Sequence, residues 1–162
     1  MTKIILILIF SILIINPAAA YNPTFNGKYI ACRDGHRINM INNAKAHDPT
    51  YAELIAAIKK DQTDKTAYKE GVFTCGNFAE RVHNNLEKSG IKSGIVRLDY
   101  IDKSTNHTDN VFKTTDKGIV YISCIYQDKM GKFEIGKNRV YTPLDGESYI
   151  AAGIIKTIAV YW

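Results

Sequence analysis

The feature that most restricts how this chain can fold is a change of period at Gly90. Ahead of it, apolar residues recur at helical spacing. Behind it, they come in short β-branched and aromatic runs bounded by turn residues. Upstream, "HDPTYAELIAAIKKD" puts Tyr51, Leu54, Ile55 and Ile58 on one helix face. Asp48 is the expected N-cap, Pro49 the expected first helical residue, and Lys60 the approximate end. After the polar connector "QTDKTAYKEGVF", Thr74 is expected to cap a second helix. Its apolar stripe is Phe78, Ala79, Val82 and Leu86, and Gly90 stops it as a C′ glycine. Cys75 then lies in the first turn. Downstream, the pattern predicts a strand over 94–101 and a hairpin from "HTDNVFKTT" and "GIVYISCIY", joined at "DKG". "KFEIGKNRVYTP" reads as a strand or hairpin, and "IIKTIAVYW" as a last strand. Helices first and antiparallel strands later make an α+β domain.

The chain opens with "MTK", a 12-residue run "IILILIFSILII" that is apolar but for Ser11, and "NPAAA". This is the charged, apolar and small-residue order of a secretory signal over residues 1–20, with cleavage expected after Ala20. The protein is therefore expected to be secreted or at the cell surface. The run is short of the roughly 20 residues that span a bilayer, so membrane attachment is expected only if the signal is kept as an anchor. Residues 21–47 read as a loose lead-in with one short helix near 37–45, and residues 48–162 as the folded domain. The chain without residues 1–20 is long enough to bury a real core. Its formal charge is +4, the +5 of the whole chain less Lys3. The basic residues are scattered, so no nucleic-acid surface is expected. Paired C-x-x-C, H-E-x-x-H, EF-hand and glycine-rich phosphate motifs are missing, so neither a metal nor a cofactor is expected.

Three cysteines remain, Cys32, Cys75 and Cys124. An odd count leaves at least one free thiol or one intermolecular bond, and a Cys32–Cys124 disulfide would leave Cys75 free. A thiol at a helix start feels the positive end of the helix dipole and nearby unpaired N–H groups, and both favour the thiolate. An imidazole then completes the activation. Of the four histidines, His83 lies eight residues along the same helix, about 12 Å up the axis and out of reach. His36 and His47 look loop-bound. His107 enters a strand after a loop, where a base can be held rigidly.

"TCGNFAERVHNNLEKSGIKSGIVRLDY" followed by "NHTDNVFKTTDKGIVYISC" resembles the transglutaminase-like cysteine-enzyme superfamily, in particular its small prokaryotic cell-surface members. With "DPTYAELIAAIKKDQTD" the resemblance covers roughly residues 48–141. It implies a papain-like α+β core, with the helix that bears the cysteine packed on an antiparallel sheet. It further implies Cys75 as nucleophile, His107 as general base and acid, and the third catalytic position at Ser123. The family has Asp there. Ser123 can accept a hydrogen bond from the imidazole but brings no charge, which predicts weaker catalysis. Asp109 and Asp116 are the nearby substitutes. Asp109 is two residues past His107 and Asp116 is in the hairpin turn, and neither is expected to be well placed. The sequon at Asn106 would obstruct the site if glycosylated. Cys124 is expected to face the core.

The resemblance implies a thiol enzyme acting on amide or peptide bonds, hydrolysis before transfer, on a protein or peptide substrate of the cell envelope. Two other classes stay open: a surface module that keeps the fold without turnover, and a disulfide-stapled structural protein.

Overall fold

A computed structural model describes residues 32–162. The signal-like segment and the first part of the lead-in lie outside the described residues. Among the described residues no helix is long and apolar enough to cross a membrane.

Helix α1 spans Tyr51–Lys60. Its N-cap is Thr50, two residues past the expected Asp48. Thr50 and Glu53 satisfy each other: the Glu53 N–H donates to Thr50 Oγ1 at 3.2 Å, and the Thr50 N–H donates to Glu53 Oε2 at 2.7 Å. This reciprocal capping box secures two otherwise orphaned donors, which a lone Asp48 cap would not. A single 3₁₀ turn, Thr63–Lys65, follows.

Helix α2 spans Cys75–Lys88 and starts at the expected cap. The Thr74 N–H donates to Asn77 Oδ1 at 2.8 Å. At the far end Gly90 takes φ +91°, the left-handed conformation that glycine adopts without strain. The Ile91 N–H then closes back on the Leu86 carbonyl at 3.0 Å.

The short helix expected near 37–45 does not form. This segment is instead a strap laid along α2. The N–H groups of Asn39, Ile41 and Asn43 donate to Glu80, Asn84 and Glu87. Positions 80, 84 and 87 share one helix face, so the strap takes its backbone partners from another element rather than from itself. Glu87 is buried with both oxygens engaged, one by Asn43 and the other by the Ser93 N–H at 2.7 Å.

Six strands follow: β1 Gly94–Tyr100, β2 His107–Thr114, β3 Gly118–Ser123, β4 Lys129–Lys132, β5 Asn138–Pro143 and β6 Tyr149–Tyr161. "KFEIGKNRVYTP" contributes β5, and the last strand begins earlier than 154. All neighbours are antiparallel, and β6 pairs with both β5 and β1, closing the sheet into a barrel.

Alternation along the strands divides the apolar side chains into two main layers. Val96, Leu98, Tyr100, Val111, Phe133, Tyr141 and Ile155 cluster on the inner face. Phe112, Val120, Ile122 and Cys124 pack outward against Leu54 and Ile58 of α1 and Val82 and Leu86 of α2. Cys124 is therefore a core residue, as expected. All three cysteines are free. Cys32 and Cys124 sit in different clusters, so the Cys32–Cys124 bond does not form.

Candidate active site

Three local rules bring the site together. The Thr74 cap fixes where α2 begins, which leaves Cys75 in its first position. Strand β2 packs against α2, and the Asn110 amide donates to the Ala79 carbonyl at 2.9 Å. The pleat of β2 then points His107, Asp109 and Val111 to one face and Thr108 and Asn110 to the other.

Cys75 is partly exposed and sits beside His107. His107 Nε2 lies 3.0 Å from Asp109 Oδ1. With Nε2 engaged there, Nδ1 is the ring nitrogen left for the thiol. Asp109 is held from behind, since Tyr141 donates its hydroxyl to Asp109 Oδ2 at 2.7 Å and Ser123 lies against the same carboxylate. The His107 side chain is 17% exposed and that of Asp109 1%.

The charges follow from this order. Burial opposes ionisation of the Cys75 thiol. The hydrogen bond and charge of His107, with the Thr108 N–H, outweigh it and hold the pKa below the usual thiol value. Burial likewise opposes the imidazolium, but Asp109 and then Cys75 raise His107 to about 9. Desolvation would lift Asp109, yet His107, Tyr141 and Ser123 keep it below the ordinary carboxylate value. The arrangement favours a thiolate–imidazolium pair backed by a carboxylate. At the start of α2 the Asn77 N–H is taken by the Thr74 side chain, while those of Cys75 and Gly76 precede the first intrahelical bond.

The sequence-expected pair, Cys75 and His107, is thus brought together. The expectation that Asp109 is badly placed is corrected. Residues i and i+2 of a strand share a face, so Asp109 reaches the same side as His107. Ser123 lies behind Asp109 rather than on the imidazole. The β2–β3 ladder pairs Asn110 with Ile122, and one step further sets Ser123 opposite Asp109. Asp116 is elsewhere, accepting the Tyr51 N–H at the start of α1. His83 is buried in α2, with Nε2 3.1 Å from Asn42 Oδ1. Tyr141 carried no sequence signal, because its role depends on β5 facing β2 across the barrel.

Beside the thiol, Tyr68 stacks on Phe78 with centroids 6.4 Å apart and meets Tyr126 at 6.2 Å. Tyr126 is 62% exposed and holds φ +67°, unusual for a side chain of this size. A hollow of about 590 Å³ between α1 and the C-terminal half of α2 includes neither Cys75 nor His107 in its lining. Comparison of the chain with protein-family models, with curated proteins and with solved structures returned no match.

Proposed function

We propose that this protein is an exported thiol enzyme of transglutaminase-like, papain-like type that cleaves amide bonds in peptides or proteins, those of the cell envelope being the candidate substrates. The observation that carries the reading is the line Cys75–His107–Asp109, with its buried carboxylate and a helix start beneath the sulfur.

The Cys75 thiolate attacks the carbonyl carbon, and the oxygen gathers negative charge near the N–H groups at the start of α2. The C–N bond breaks as His107 gives its proton to the leaving amine, leaving a thioester. Water then attacks the thioester and passes a proton to the now neutral His107. The acid departs, and the thiolate–imidazolium pair is restored. Asp109 holds the ring in one tautomer throughout and balances its charge. The family's carboxylate position is Ser123 in this chain, and Asp109 supplies the charge from the neighbouring strand.

The test is the pH dependence of iodoacetamide alkylation at Cys75, beside cleavage of a mixed peptide library. Fast alkylation near neutral pH that slows in His107→Ala, together with amine release that Cys75→Ala abolishes, supports the enzyme. An ordinary thiol of pKa about 8.5 would put a binding module without turnover in its place.

A further inference from the structure

Cys32, Asp34 and His36 lie where the strap meets the start of α2. Their ligand atoms all stand within 4.8 Å of one another. The tight turn that gathers them is closed by the Cys32 N–H donating to the His36 carbonyl at 2.8 Å. Cys32 is buried against Gly76, where a Cβ would stand 2.5 Å from its sulfur, so glycine is what lets the thiol reach this position. Both nitrogens of His36 are engaged: Nδ1 is 2.6 Å from Asp34 Oδ1, and Nε2 is 2.6 Å from Glu80 Oε2 on α2. The second Asp34 oxygen accepts from the Asn77 amide at 3.2 Å.

We propose that this cluster is a zinc-class metal site, with Cys32 Sγ, an Asp34 carboxylate oxygen and His36 Nδ1 as ligands and Glu80 holding His36 Nε2–H from outside. The donor set, one sulfur, one imidazole and one carboxylate, suits a borderline-soft divalent ion. Ligands on a tetrahedral zinc stand about 3.3–3.7 Å apart, given bonds of about 2.0–2.3 Å, so the three atoms need only small shifts. The Asp34–His36 contact opens as the metal replaces the proton between them. A carboxylate on the distal histidine nitrogen is the usual way such a ring is oriented, and Glu80 is already there. Asp34 and His36 are exposed, which leaves the fourth position to solvent.

The cysteine and histidine ligands bind a metal only in their deprotonated forms, so affinity rises with pH.

The test uses the protein freed of metal by a chelator and titrated with Co²⁺ alone, then with Zn²⁺ in competition. The expected result is one equivalent of Co²⁺ with a thiolate-to-metal charge-transfer band that Zn²⁺ bleaches. The band is kept in Cys75→Ser/Cys124→Ser, where Cys32 is the one thiol left, and is lost in Cys32→Ser. Glu80→Gln weakens binding roughly 10–100-fold, the usual loss of an outer carboxylate. Absence of the band in the Cys75→Ser/Cys124→Ser variant overturns the proposal even if Cys32→Ser cannot be folded. So does unchanged affinity in Glu80→Gln. Neither result bears on alkylation of Cys75, so the enzyme reading stands or falls separately.

Discussion

Two histidines in this molecule each have an aspartate two residues away: Asp34 before His36, and Asp109 after His107. The shared spacing has different origins. At 34–36 a tight turn folds the two side chains together. At 107–109 the strand pleat puts them on one face. Their surroundings differ more. The side chains of His36 and Asp34 are 40% and 28% exposed, against 17% and 1% for His107 and Asp109. Burial opposes charge on both rings, and the carboxylates raise both above the ordinary value, Glu80 and Asp34 for His36 and Asp109 for His107. Only His107 faces a thiol that gains from its charge. On the proposed reading, a histidine–carboxylate pair serves a thiol where the carboxylate is dry and the other face of the ring meets the sulfur.

The sharpest way to break the comparison is to remove each ring. His107→Ala is expected to slow Cys75 alkylation at neutral pH by about 10²-fold or more, in the range of lost acid–base groups. His36→Ala in metal-free protein leaves the rate within about twofold, since surface charges couple weakly. Equal losses would erase the distinction.

The next effect concerns the carboxylate. Asp109→Asn should cut the alkylation rate about tenfold and move its pH profile to higher pH, because the imidazolium loses its counter-charge. The double variant Asp109→Ser/Ser123→Asp exchanges the pair across the β2–β3 ladder. It should recover most of the loss if position on the inner face is what matters, and none if only Asp109 can reach the ring.

A smaller effect appears in stability. His107 is raised to about 9 in the folded protein, against about 6.5 unfolded. Its contribution is therefore complete below about 6.5 and is lost as pH climbs toward 9, about 3 kcal/mol at most. Cys75, whose pKa is lowered, works in the opposite sense. The slope is best read in Cys75→Ser, where Asp109 alone raises the ring, so Tm should fall over a narrower window above about 6.5, and fall less once Asp109→Asn is added.

The smallest effect is at His36. Its raised pKa adds stability below the ordinary histidine value that disappears above it, and solvent screening holds this under about 1 kcal/mol. Glu80→Gln in metal-free protein should flatten that slope without touching alkylation of Cys75.

Much of this was legible in the residues. Thr74, Gly90 and the "DKG" hairpin act through neighbours in sequence, so their signals are local and held. The helix start at Cys75 and the strand entry at His107 were readable from spacing, and the resemblance is what paired the two. Asp109 was misjudged although its signal was present, because a period of two places it beside His107 once β2 is read as a strand. The Thr50 cap was missed in favour of Asp48, although Thr50 and Glu53 stand at capping-box spacing. Other features were not legible. The strap over 37–45 satisfies its backbone on α2, and no pattern within the strap reveals that. Closure of the barrel and the Tyr141–Asp109 bond depend on strands far apart in the chain.

The pairing of Ile95 with Tyr161 sets an order on folding. When β1 has been made, one of its edges can zip to β2 within a few residues, but the other waits for a partner more than sixty residues away. Until β6 arrives, β1 and β5 each present an open edge, and the wall behind His107 and Asp109 is unfinished. Long-range closure of this kind is slow, and an unpaired edge is open to other chains. Helix α2 can form early, but His107 and Asp109 become rigid only when the last strand docks, so the setting of Cys75 beside them is a late product of folding.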